Sequence, residues 1–221
     1  MIVQPPFSLL LATSNRGKVA ELVALFGDVG LTLVSLSSLP GKHPSPIEDG
    51  ATFLANALIK AHAAAQRTGM VTLAEDSGLE VDALGGRPGV RSARFAKEDA
   101  TDAENNAHLL AAMEEVDDDQ RSARFRCTMV LVDPWSTAEP FVVEGRCEGR
   151  IVRAPRGAGG FGYDPLFLVE GEGVTMAELA EHRKNEISHR ARAAAAMRPY
   201  LLALAQERAR AAADLLRPGS T

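Results

Sequence analysis

Apolar residues along this chain fall either in short unbroken runs or at helical intervals, and the two patterns alternate. The run SLLLAT is continuous enough for a buried strand, and Val19, Leu22, Val23 and Phe26 then recur at helical spacing, predicting an amphipathic helix over 17–27. LTLVSL (31–36) reads as a second strand, PGKHPSPIEDG as a turn-rich loop, and the alanine-rich stretch from Ala51 to about Thr68 as a second helix. VTLAED (71–76) and LEVDAL (79–84) read as two strands flanking Ser77-Gly78, which places Asp76 at a strand end. GGRPGVRSARFA fits neither period and is predicted to be a loop. Asp99 to about Glu115 is predicted helical, and RFRCTMVLVD (124–133) and PFVVEGRCEGRIV (140–152) are two long strands joined at Asp133-Pro134. LFLVE and a long helical segment complete the chain.

Strands alternating with helices predict an α/β fold, and the long hairpin makes its sheet mixed. No linker or repeat divides the 221 residues, so 1–221 is expected to form one domain, with the Ala/Arg-rich tail after Arg208 frayed. At 46% hydrophobic the chain can bury a sizeable core, and no apolar run reaches the roughly 18 residues of a membrane span. With no basic leader at MIVQPPFS, the expected compartment is the cytoplasm, where Cys127 and Cys147 would be buried free thiols. A formal charge of −5 disfavours a nucleic-acid polymer as partner but leaves room for a local basic cleft that holds one small polyanion.

Four clusters carry candidate chemistry. TSNRGK joins the first strand to the first helix, where free helix N–H groups and Lys18 suit a phosphate, although ordinary capping needs the same residue types. Asp76, with Glu48 and Asp49 of the preceding loop, could share a hard cation such as Mg²⁺, or all three could be solvated loop acids; Lys60 shares a helix face with Asn56. GAGGFGYDP (157–165) lets the backbone approach a flat ligand and offers Phe161 or Tyr163 as a stacking ring, unless those rings belong to the core. In KNEISHR, Ser188 can cap a helix whose first turn carries His189 and Arg190.

Taken in order, ATSNRGKVAEL, EDGATFLANALIKA, AEDSGLEVDALGGRPGVRSARFA, GGFGYDPLF and KNEISHRARA resemble the inosine triphosphate pyrophosphatase family, in its bacterial dITP/XTP branch. The resemblance implies an elongated α/β fold with two lobes around a cleft, usually as a homodimer. It also implies Mg²⁺-dependent hydrolysis of purine nucleoside triphosphates with abnormal bases to monophosphate and pyrophosphate, which clears deaminated purines from the nucleotide pool. Carried over by motif, it places Thr13, Ser14, Asn15, Arg16, Gly17 and Lys18 on the triphosphate and Glu48 and Asp76 at the metal, with Asp76 the general base. Lys60 joins the catalytic set and Ser77 touches the nucleotide. Phe161, Gly162, Tyr163, Asp164, Lys184, His189 and Arg190 form the opposite wall, where Arg190, supported by His189, is expected to read the C6 oxygen of the base. Three positions depart from the commoner pattern: Ser14 stands where Gly is frequent, Glu75 is the first acid before the SG pair, and Ile47 replaces an acid. The choice between Glu48 and Asp49 as loop ligand stays open. So do two other readings: a pyrophosphatase of modified pyrimidine nucleotides, against which GGFGYDP and SHR speak, and a nucleotide sensor without turnover, which would have no use for Asp76.

Overall fold

Leu9, Leu10 and Leu11 are fully buried in β1 (Ser8–Leu11), an interior strand with parallel neighbours β2 (Thr32–Ser35) and β3 (Thr72–Val81). The computed structural model describes residues 7–41 and 43–215. β3 continues the sheet by antiparallel pairing with β4 (Ser122–Val132), then β5 (Phe141–Ile151) and β6 (Phe167–Val169), giving the order β2-β1-β3-β4-β5-β6. Helices flank it: α1 (Arg16–Phe26), α2 (Phe53–Thr68), α3 (Asp102–Ala112), α4 (Glu181–Ile187) and α5 (His189–Leu215). The mixed α/β sheet expected from the sequence is therefore present, and the last helix runs past Arg208 to Leu215.

β1 meets β3 only through Leu10–Thr72 and Leu11–Leu73. Beyond that point β3 keeps β4 on one side while the other side opens onto loops, and the apolar core divides accordingly. Leu9, Leu22, Phe26 and Met197 pack on one face of the upper sheet, and Leu10, Ala57, Ala61 and Val130 on the other. Leu79, Leu109, Phe125, Tyr163 and Phe167 form a separate lower core. Two lobes result, joined by the continuous strands β3, β4 and β5, with the β3 segment from Glu75 to Gly78 at the junction.

Three expectations are corrected. The segments 71–76 and 79–84 are not two strands: Ser77 pairs with Cys127 and Gly78 with Arg126, so the ladder runs unbroken and Asp76 lies inside β3 rather than at its end. Gly78 stays in the strand because another chain segment presses on it; a Cβ there would lie 2.4 Å from Ser92 Oγ and 2.5 Å from the Gly89 carbonyl. Val23, placed on the apolar stripe of α1, is 45% exposed, and Leu22 and Phe26 alone of the four predicted positions are buried. Tyr163 is a core residue whose hydroxyl donates to the Ser92 carbonyl at 2.8 Å, so it has no free ring for stacking.

Candidate active site

The loop between β1 and α1 is shaped by Asn15, whose side chain accepts from the Lys18 N–H at 3.1 Å and caps the helix. This turns Thr13, Ser14, Asn15 and Lys18 toward the gap where β1 ends and β3 continues. Arg16 stays exposed on α1, and Gly17 provides close packing: a Cβ there would lie 2.9 Å from Phe161 Cδ1.

In the same gap α2 brings Lys60 between two carboxylates, with Nζ 2.9 Å from Glu48 Oε2 and 2.8 Å from Asp76 Oδ1. Burial opposes the charge on Lys60, but Asp76 and Glu48 outweigh it and raise its pKa above the ordinary lysine value. Asn56, one turn earlier on the same face, donates to Asp76 Oδ2 at 3.2 Å and accepts from the Gly50 N–H at 2.8 Å. Glu48, not Asp49, lines the cavity. No cluster of three His, Cys, Asp or Glu side chains fit to hold a metal occurs among the described residues. Two carboxylates that already share one cation are instead the oxygen-only set that suits a hard dication whose remaining positions go to phosphate and water.

A second cavity adjoins this one and shares Asn15, Lys18, Ser77 and Ala93 with it. Its wall includes Phe161 to Asp164, Lys184, His189 and Arg190. Behind that wall a chain of alternating charge runs from Asp164 through Lys184, Glu21, Arg190 and Glu75 to Lys18. Burial would raise the pKa of Glu75, yet Arg190 and Lys18 hold it well below the usual carboxylate range, and the Cys127 thiol also donates to it at 3.0 Å. Cys127 and Cys147 are free, buried thiols. Arg190 uses four of its five donors on Glu75, Glu21 and Ser77, while its guanidinium also lines the cavity, 5.6 Å from the Phe161 centroid. His189 stacks on Phe125 with ring centroids 4.8 Å apart, and its buried Nδ1 has no partner. Burial, then the neighbouring Arg190, push its pKa well below the ordinary histidine value, so it is neutral. Phe161 is half-buried, with Lys184 Nζ 5.1 Å from its centroid. Asp164 holds the glycine loop by accepting from the Phe161 N–H at 3.0 Å and from Lys184 at 2.7 Å.

The sequence profile of the Ham1 family matches residues 9–200. The chain belongs to the Ham1 family. Relatives named dITP/XTP pyrophosphatase include one from Vibrio cholerae, 50% identical over 84% of this chain and 92% of its own, and one from Geobacillus kaustophilus, 51% identical over 84% and 89%. The fold agrees with a solved Ham1 protein from Coxiella burnetii at a TM-score of 0.80, with 42% identity over 88% of this chain and 98% of that one. A crystal structure titled nucleoside-triphosphatase / dITP/XTP pyrophosphatase from Mycobacterium abscessus matches at a TM-score of 0.69 and 45% identity, covering 86% of this chain and 98% of that one.

The site of this Ham1 chain thus gathers every residue the motifs proposed except Arg16 and Gly17, which stand beside the cavities. Sequence reasoning missed Glu21 and Arg94 and gave Glu75 no role. Glu75 did leave a signal, a carboxylate directly after the strand run VTLA, where only a paired charge survives burial. Glu21 left a weaker one, since an acid one turn after Lys18 is also what any exposed helix face contains.

Proposed function

We propose that the chain hydrolyses purine nucleoside triphosphates with deaminated bases, of the dITP, ITP and XTP type, to the monophosphate and pyrophosphate, with Mg²⁺ as cofactor. The observation that carries the reading is the pair of adjoining cavities: one presents Glu48, Lys60 and Asp76, the other Phe161 and a neutral His189, and Lys18 stands in the wall of both. A triphosphate with about four negative charges fits the first and a purine the second, and the names of the relatives point the same way.

In this reading Lys18, Lys60 and the capped N-terminus of α1 hold the phosphoryl oxygens. Asp76, oriented by Asn56, accepts the proton of the water that attacks the α-phosphorus. Mg²⁺ held by Glu48 and Asp76 would supply neutralisation of the phosphate charge. Because Arg190 is engaged elsewhere, the base edge is read by His189 and the backbone of Phe161 to Asp164.

Incubation with a panel of nucleoside triphosphates and Mg²⁺, followed by phosphorus NMR, tests the proposal. Monophosphate and pyrophosphate should form from dITP, ITP and XTP and cease in excess EDTA; orthophosphate as first product would overturn it.

A further inference from the structure

We infer that Arg94 is a positioning residue for Glu48, and that through the loop carrying Glu48 it sets how tightly the cleft holds a divalent cation. The inference rests on the function proposed above. Residues 43–50 form neither helix nor strand, and Ile47 within them is 83% exposed. Such a segment cannot place a ligating carboxylate by its own stiffness.

Three side chains hold its backbone. Arg67 Nη1 donates to the Pro44 carbonyl at 3.1 Å, Asn56 accepts from the Gly50 N–H at 2.8 Å, and Arg94 Nη2 donates to the Glu48 carbonyl at 3.0 Å. The first two ties come from α2, the helix that also carries Lys60. The third acts on Glu48 itself and comes from the segment Gly89–Arg94.

That segment is itself fixed. Ser92 Oγ accepts from the Leu79 N–H of β3 at 2.9 Å, the Ser92 carbonyl accepts from Tyr163, and the Ala93 carbonyl accepts from Asn105 of α3 at 3.1 Å. Arg94 therefore ties the Glu48 loop to the rigid lower lobe. Its Nε has no hydrogen-bond partner and lies 3.8 Å from Glu98, so the Glu48 carbonyl is its one close acceptor among the described residues.

The other force on the Glu48 carboxylate is Lys60, and a dication entering between Glu48 and Asp76 competes with that ammonium directly. The bond from Arg94 lands on the main chain, so it persists when the carboxylate changes partner. A tie of this kind orients a ligand without ligating, and losing one typically weakens metal binding by about 10- to 100-fold.

The test compares wild type, Arg94→Ala and Arg94→Lys by hydrogen exchange without metal and by calorimetric titration of Mn²⁺ in the presence of imidodiphosphate. Arg94→Ala should speed exchange at 47–50 while α2 keeps its protection, and weaken Mn²⁺ by about 10- to 100-fold; Arg94→Lys, with one donor group left, should fall between. Turnover lost in Arg94→Ala should return toward the wild-type level as Mg²⁺ is raised. Unchanged exchange and Mn²⁺ affinity, or a loss of turnover that excess Mg²⁺ does not restore, overturns the inference; should Arg94→Ala not fold, Arg94→Lys decides by the same readouts. A wild type that neither binds Mn²⁺ nor releases pyrophosphate would instead sink the proposed function.

Discussion

Arg190 and Glu75 face one another as a fork on a carboxylate, Nε to Oε2 and Nη2 to Oε1, both at 3.1 Å, with neither side chain more than 2% exposed. They lie 115 residues apart in the chain: Glu75 sits where β3 passes between the lobes and Arg190 in the first turn of α5. Arg190 lines the base cavity, and Glu75 behind it holds Lys18 at 3.0 Å.

Removing one member takes a bidentate partner from a buried charge, which then keeps only its second one, Glu21 for Arg190 and Lys18 for Glu75. Glu75→Gln should therefore lower stability in urea denaturation, by less than the about 3–5 kcal/mol that a buried charge left wholly without a partner costs. Arg190→Ala should also lower kcat/KM by a similar factor on ITP, XTP, ATP and GTP, because its guanidinium organises the site and does not read the base. A loss confined to ITP and XTP would show that Arg190 contacts the C6 oxygen after all.

Asp76→Asn keeps the shape of the side chain but removes the group that would take the proton and one of the two cation-holding charges. Turnover should fall by about 10² to 10⁴ with the fold intact by circular dichroism. Near-normal turnover would clear Asp76 of the role.

Most of the fold was legible because the buried strands have unbroken apolar runs and the helices have periodic ones. What misled was local chemistry with a distant cause. Ser77-Gly78 looks like a break, but Gly78 is small because Ser92 and Gly89 press against it from a segment that no periodicity marks. The site residues were legible as motifs, while their partnerships were not. That Arg190 is bound to Glu75 depends on two residues more than a hundred positions apart, and one strand extending past its neighbour brings them together.

Acid should weaken the protein first through His189. Its pKa in the folded state lies well below the ordinary 6.5, and the groups acting on it are Arg190, Glu75, Lys184 and Lys18. As pH drops through 6.5 the unfolded chain takes up this proton and the folded chain does not, so stability declines by up to about 1.4 kcal/mol per pH unit. Glu75 has the opposite charge type but the same sign of effect, in a lower window: its contribution is full above 4.5 and is lost only as pH falls toward its depressed folded value. Between pH 7 and 5.5 the urea midpoint of the wild type should therefore fall more steeply than that of His189→Gln. Parallel slopes would mean that His189 takes up its proton over the same pH range in the folded and the unfolded chain.

Gly145 decides how closely α5 lies on β5. A Cβ at this position would stand 2.2 Å from the His189 carbonyl and 2.4 Å from the Ala193 N–H nitrogen, both backbone atoms in the first turns of α5. Backbone cannot rotate aside as a side chain would, so Gly145→Ala must push the start of the helix away from the sheet. Overpacking of this kind costs typically about 1–3 kcal/mol. The displaced turn carries His189 and Arg190, one lining the base cavity and the other anchoring Glu75, so the damage should reach the site as well as the core. The expected result is a drop in the urea midpoint together with a loss of kcat/KM measured where the variant is still fully folded. A variant with native stability and native kinetics would show that α5 can shift outward freely, and that the close seating of His189 and Arg190 is not needed for turnover.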